Sequence, residues 1–124
     1  MRCFFSAHFF ILQPYMKLQE DTYRHKGLRK KLLDTVRAQG ITDEAVLTAM
    51  NNIPRHFFMD SALDNIAYED RAFPISDGQT ISQPYTVAYQ TQLLQIKTTD
   101  KVLEIGTGSI YQATVLAEDR KSVV

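Results

Sequence analysis

Val102-Leu-Glu-Ile-Gly-Thr-Gly-Ser-Ile-Tyr-Gln-Ala-Thr-Val-Leu-Ala-Glu118 decides the fold of this chain. The apolar run at its start is too short for a helix and ends directly on glycines, which predicts a parallel strand over 102–105. Gly106 and Gly108 make a turn whose backbone can come close to a ligand. The Ala- and Leu-rich pattern after them predicts a helix starting near Ser109 or Ile110, with its first free amides pointing back at the turn. Strand, glycine turn and helix in this order form the nucleotide-binding corner of a doubly wound α/β sheet.

Three ligand classes use such a corner. A phosphate-cradling loop ends in Gly-Lys-Ser/Thr, but Gly108 is followed by Ser109 and Ile110, which excludes ATP or GTP hydrolysis. The dinucleotide fingerprint needs a small residue where Tyr111 stands, so a dinucleotide-dependent oxidoreductase is disfavoured. The third class binds S-adenosylmethionine and carries an acidic residue two positions before the first glycine, the position of Glu104. A carboxylate there complements the positive sulfonium and amino groups of that ligand. A tight turn in an unrelated α/β protein is the plainer alternative.

Upstream, residues 67–84 carry Asp70, Pro74, Asp77, Gly78 and Pro84 with little periodicity, the pattern of a long connection fixed by turn residues. Ser82 then heads a helix with Val87, Ala88, Thr91 and Leu94 on one side, and residues 97–100 form a turn. Nearer the N-terminus, Leu28, Leu32 and Val36 recur every four residues and predict a helix over 22–40. Arg29, Lys30, Asp34 and Arg37 take its other faces, and Gly40 stops it. Thr42 reads as the N-cap of a second helix with Val46, Leu47 and Met50 as its apolar stripe, ended by Ile53-Pro54. Phe57 and Phe58 read as core residues. The basic cluster at 24–26 and 29–31 reads as a solvated face rather than a phosphate patch.

The chain has 124 residues, enough for one domain, with 14 basic and 14 acidic side chains. A zero net charge argues against a polyanion binder, so nucleic acid is not an expected partner. A single cysteine, Cys3, leaves no intramolecular disulfide and no Cys-based zinc site, and points to the cytoplasm; no metal is expected. The first fifteen residues are aromatic and apolar but too short to span a bilayer. They carry one arginine and no small-x-small cleavage site before Pro14. They are expected to be an extension outside the fold, with the domain at 16–124 and no membrane contact.

Residues 102–113, together with Gly78-Gln-Thr-Ile-Ser-Gln-Pro-Tyr85 some twenty residues upstream, resemble the protein-L-isoaspartate (D-aspartate) O-methyltransferases. The resemblance runs back through Ala67-Tyr-Glu-Asp70 and Ile53-Pro-Arg-His-Phe-Phe58, covering about Tyr23 to Glu118. It implies an N-terminal helical segment leading into a Rossmann-like class I methyltransferase sheet, with S-adenosyl-L-methionine as cofactor. It also implies protein repair: a methyl group passes to the free α-carboxylate of an isoaspartyl residue, the ester closes to a succinimide, and hydrolysis restores some aspartate. Isoaspartyl-containing proteins and peptides are the implied partners, and a monomer is the implied state.

By the same resemblance Ser82 is the active-site residue. Gly78, Gln79 and Thr80 contact the cofactor, and Glu104, Gly106, Thr107, Gly108 and Ser109 carry the cofactor motif. The Ser82 hydroxyl would hydrogen-bond the acceptor carboxylate or the cofactor. No base partner stands at a diagnostic position, so it is not read as a nucleophile. Capping the helix near Pro84 is a compatible role.

Two features depart from the family pattern. Ile110 stands where the last glycine of the motif belongs, placing a β-branched side chain at a turn that wants none. The chain also stops soon after the first cofactor helix, and residues 118–124 do not resemble the family's continuation, whereas a doubly wound sheet needs further strand-helix units. The expectation is a partial methyltransferase domain whose strand lacks a sheet neighbour. A non-catalytic remnant or binding module is the alternative.

Overall fold

The computed structural model describes residues 19–120, so the apolar extension expected at 1–15 and the last four residues lie outside the described residues. Helix α1 (Tyr23–Ala38) is followed by α2 (Glu44–Asn52), 3-10 turns at Arg55–Phe58 and Ser61–Leu63, strand β1 (Phe73–Pro74), a 3-10 turn at Ser76–Gly78, strand β2 (Thr80–Ile81), α3 (Pro84–Leu94) and α4 (Tyr111–Arg120).

The sequence sets the ends of α1. Thr22 and His25 form a reciprocal cap, in which the Thr22 oxygen accepts the His25 amide and His25 Nδ1 accepts the Thr22 amide at 3.2 Å. At the other end Gly40, at φ +108°, turns the chain and donates to the Arg37 carbonyl. Leu32 and Val36 are buried as the four-residue spacing predicts, Leu28 is half-buried against the core, and Leu33 is buried in addition. Arg29 is buried too, against the expectation of an outward face. All three of its nitrogens are engaged: Nη1 and Nη2 each reach an Asp21 oxygen at 2.9 Å, Nε donates to the Asn51 carbonyl at 2.7 Å, and Nη1 also donates to the Tyr68 hydroxyl. A guanidinium satisfied in this way tolerates burial that periodicity alone would not assign to it.

Helix α2 packs against α1, α3 and α4 and forms the centre of the core. Val46, Leu47, Ala49 and Met50 meet Val36 and Ile41 from the N-terminal side and Val87, Ala88 and Val115 from the other. Each large aliphatic side chain buried in this way stabilises the fold by about 1.5–3 kcal/mol. The cap of α2 is Asp43, not Thr42: its carboxylate accepts the Ala45 and Val46 amides at 3.0 and 3.3 Å. A charged acceptor at a helix N-terminus outcompetes a hydroxyl. The Thr42 and Asp43 amides instead converge on Gln92 Oε1 of α3, at 2.8 and 2.9 Å.

The connection at 67–84, expected to be fixed by its turn residues, contains a short hairpin that its composition does not predict. β1 and β2 pair antiparallel, Phe73 opposite Ile81 and Pro74 opposite Thr80, with Asp77 and Gly78 left-handed at the turn between them. Ser82 does not cap α3: Gln83 holds the N-cap position and Pro84 opens the helix. Val87, Ala88 and Thr91 are buried as expected, whereas Leu94 is exposed. The turn at 97–100 forms, closed by Asp100 onto the Lys97 amide.

Residues 102–105 do not form the expected parallel strand. Val102 and Glu104 are half-buried while Leu103 and Ile105 are 81% and 88% exposed, so the period-2 alternation of a strand is there without a ladder. A strand exists only by pairing, and among the described residues the sole sheet is β1–β2. The following helix starts at Tyr111, one residue beyond the expected start.

Candidate functional site

The glycine turn and the approach to α3 enclose a cleft of about 210 Å³. Thr80 and Ser82 line it on the α3 side, and Glu104, Gly106, Thr107, Gly108 and Ser109 line it on the other. The two motifs, some twenty residues apart in sequence, therefore share one space. Gly78 stays outside, at φ +69° in the turn between β1 and β2. Gln79 does not line the cleft either, but its Oε1 comes within 3.8 Å of the point where a Cβ on Gly108 would sit. The cleft also takes Val87 and Gln90 from α3 and Tyr111 and Gln112 from α4, none of which the motifs marked as site residues. The spacing of 87 and 90, one turn apart on the helix that Pro84 opens, was the available signal.

The turn depends on left-handed backbone at alternate positions: Gly106 at φ +77°, Gly108 at +52° and Ile110 at +67°. Glycine adopts this conformation freely, whereas an L side chain there costs about 1–2 kcal/mol. Ile110 thus occupies a glycine position in the structure as in the sequence. Its amide donates to the Thr107 carbonyl at 2.8 Å, closing the turn, and the Ser109 hydroxyl oxygen accepts the Tyr111 amide at 3.2 Å at the start of α4.

Glu104 gives the cleft its charge. Its Oε2 is buried without a hydrogen-bond partner, and burial pushes the carboxyl pKa above the ordinary value. A carboxylate withdrawn from water with no cation beside it is costly alone and favourable with a positive ligand group. The Ser82 side chain is exposed to the cleft, and no side chain among the described residues hydrogen-bonds its hydroxyl. Tyr111 backs the site: burial pushes its hydroxyl up to about 12, against the pull of the Arg55 charge. Phe58 packs edge-on to it at 5.4 Å and the Arg55 guanidinium lies 5.2 Å from its ring centre. Across the cleft wall, Gln112 Nε2 donates to Thr91 Oγ1 at 2.9 Å and fixes α4 to α3.

Two other features compete for attention. An open groove of about 680 Å³ runs between α1 and α2, but it contains no motif residue, and Arg37 there pairs with Glu44 at 3.0 Å. Asp21, His25 and His56 are the one grouping of metal-type ligands among the described residues. The two imidazoles stack at 3.8 Å with planes 17° apart, so their lone pairs lie in nearly parallel planes and cannot converge on one ion. Their nitrogens are already engaged: His25 Nε2 with Asp64 Oδ1 at 2.7 Å, and His56 Nδ1 with the Tyr68 hydroxyl at 2.7 Å.

Residues 27–123 match the family model described as Protein-L-isoaspartate(D-aspartate) O-methyltransferase (PCMT), so the match takes in residues 118–123, against the expectation that the chain leaves the family pattern there. The chain is 63% identical over 97 residues to a protein-L-isoaspartate O-methyltransferase of Christiangramia forsetii, covering 78% of this chain and 46% of that protein. It is 62% identical over 99 residues to the same enzyme of Cytophaga hutchinsonii, covering 80% and 45%. In structure it is similar to a protein-L-isoaspartate O-methyltransferase from Plasmodium falciparum in complex with S-adenosyl-L-homocysteine, with a TM-score of 0.60, 27% identity, and coverage of 78% and 42%. The chain spans about half the length of the curated relatives it matches. With the motif cleft in place and the match running from α1 to the end of α4, the chain belongs to the protein-L-isoaspartate(D-aspartate) O-methyltransferase family.

Proposed function

We propose that the chain carries the cofactor corner and the acceptor-side serine of an S-adenosyl-L-methionine-dependent methyltransferase that esterifies isoaspartyl carboxylates in damaged proteins and peptides. The observation that carries this reading is Glu104: a buried, unpartnered carboxylate oxygen at the wall of a cleft formed by a glycine turn and the Thr80–Ser82 approach. That donor set suits a ligand with cationic groups and a compact polar body. The similar Plasmodium falciparum protein was solved with S-adenosyl-L-homocysteine.

When bound, the cofactor supplies an electrophilic methyl group. The residues of this chain supply placement. Glu104 would face the positive end of the ligand, and Gly106 and Gly108 would let the backbone approach it without a Cβ in the way. An isoaspartyl α-carboxylate is already ionised at neutral pH, so the acceptor needs no general base. This agrees with a Ser82 whose hydroxyl no side chain among the described residues hydrogen-bonds. Its hydroxyl serves to orient the acceptor oxygen, and alignment with exclusion of water provides much of the rate. Gly78 and Gln79 act on this site through the backbone and the Gln79 side chain rather than by lining it. No helix among the described residues is long and apolar enough to cross a membrane. A cytoplasmic monomer acting on soluble damaged proteins is the setting we assign.

Calorimetric titration with S-adenosyl-L-homocysteine tests the reading. Binding by the unaltered chain is expected, weakened about ten- to a hundredfold in Glu104→Gln, which keeps the shape and removes the charge. Ser82→Ala is expected to bind nearly as the unaltered chain does. Equal affinity in Glu104→Gln would remove the basis for the cofactor assignment.

A further inference from the structure

We propose that Asp70 is a positioning residue that holds Ser82 at the cleft by capping α3 from a distant part of the chain. This rests on the assignment of Ser82 to the site. Helix α3 lacks a cap of its own: Gln83 at the N-cap position makes no capping hydrogen bond, and Pro84 has no N–H, so the Tyr85 amide is the first free donor. Asp70 Oδ1 accepts that amide at 2.8 Å. Its Oδ2 accepts Gln83 Nε2 at 3.2 Å, and the Asp70 carbonyl accepts the same amide group at 3.2 Å. Gln39, at the end of α1, donates Nε2 to Oδ2 at 2.7 Å. A single carboxylate thus joins α1, the loop before α3 and the first turn of α3. Its hydrogen-bond partners are amides, and its negative charge complements the positive end of the helix as well as the buried Arg55 guanidinium.

The consequence for the site is local. Ser82 lies between Ile81, which is fully buried in the core, and Gln83, which Asp70 grips by both its carboxylate and its carbonyl. The serine is exposed on a two-sided mount, with one neighbour fixed by packing and the other by hydrogen bonds. Removing Asp70 frees only the second side, leaving Ile81 and the core in place. Nothing in the two motifs marks this residue, because it stands twelve positions before Ser82 and touches neither the glycine turn nor the cleft.

Amide hydrogen exchange on the whole chain, with and without S-adenosyl-L-homocysteine, separates this role from general support of the fold. In Asp70→Ala, exchange at Tyr85 and the neighbouring amides of the first turn of α3 is expected to rise about tenfold or more, the loss of one charge-assisted hydrogen bond. Amides in α1 and α2 should keep their protection. Asp70→Asn retains an acceptor for the Tyr85 amide and should restore most of the protection, which a lost fold would not allow. Unchanged exchange at Tyr85, or a uniform rise over all four helices, would overturn the proposal. Cofactor affinity in Asp70→Ala is expected to fall several-fold, and affinity equal to the unaltered chain would overturn the link to the site. If the unaltered chain fails to bind the cofactor product, the cofactor reading fails, while the exchange pattern without ligand still decides whether Asp70 caps α3.

Discussion

The N-terminal helices and the glycine-turn corner carry comparably clear sequence signals, yet only the helices complete their structure from their own neighbours. Val36, Ile41, Val46 and Met50 are buried almost completely where α1, α2 and the segment between them meet. Leu103 and Ile105, equally apolar, are left in the open. A helix satisfies its backbone internally and needs packing on one face, whereas a strand needs partners on its edges before its faces can be covered. The difference therefore lies in what each element must borrow from elsewhere in the chain.

Truncating side chains on the two sides is the severest way to break this comparison. Met50→Ala removes a fully buried side chain from the last turn of α2 and is expected to cost about 2–5 kcal/mol, a large share of the stability of a domain this size. Leu103→Ala and Ile105→Ala should each stay within about 0.5 kcal/mol. Urea unfolding of the three variants measures both sides at once. A cost at Ile105 comparable to that at Met50 would mean that the segment packs in solution against something the described residues do not provide.

A subtler contrast lies in acid. His56 is buried against His25, and its pKa is lowered, chiefly by burial and next by the neighbouring imidazole. The Glu20 carbonyl, Asp64 and Asp21 pull the other way without prevailing. The unfolded chain therefore takes up a proton near the ordinary histidine value of about 6.5, where the folded chain does not. The stability is fully present above that pH and is lost as pH falls below it, levelling once the folded imidazole is also protonated. Urea midpoints at about pH 7.5 and 5.5 should fall with acid in the unaltered chain and fall less in His56→Gln. Equal pH dependence in the two would show that the stacked pair does not limit the N-terminal region. The lowered carboxyl pKa values of Asp21, held mainly by Arg29, and of Asp64, held by His25 and Arg24 against its own burial, act at lower pH, below the ordinary carboxylate range.

What the sequence made legible follows the same division. The helix over 22–40, its glycine stop and the apolar stripe of α2 were readable because each rests on local periodicity or on residues with one strong backbone preference, whereas the meeting of two motifs at one cleft was legible only through the family resemblance. Three things were not. Arg29 and His25 look like members of a basic surface cluster, and only Asp21, Tyr68 and Asp64, brought in from other segments, explain their burial. The caps of α2 and α3 fell one residue later than the hydroxyl side chains implied, because the Asp43 carboxylate caps α2 itself and Asp70 supplies an acceptor to α3 across the fold. The strand at 102–105 was readable as a pattern but not as a ladder, since pairing is a property of two segments.

Ile110 carries the smallest and sharpest of the expected effects, because there sequence and structure make the same statement. The family pattern places a glycine at this position, and the backbone sits at φ +67°, where a β-branched residue is strained. Ile110→Gly removes roughly 1–2 kcal/mol of strain. It also adds about 0.5–1 kcal/mol of backbone entropy to the unfolded chain, and it loses little burial, since the side chain is 38% exposed. The net gain should be below about 1 kcal/mol, a rise in melting temperature of a few degrees. The same change relaxes the turn that frames the cleft, so S-adenosyl-L-homocysteine should bind more tightly in Ile110→Gly, while the pH dependence set by His56, whose partners are Tyr68 and Glu20 rather than the glycine turn, stays as it was. A variant that melts lower and binds no better would show that the isoleucine packs usefully at the turn and that the strain inferred from its backbone angle is relieved in solution.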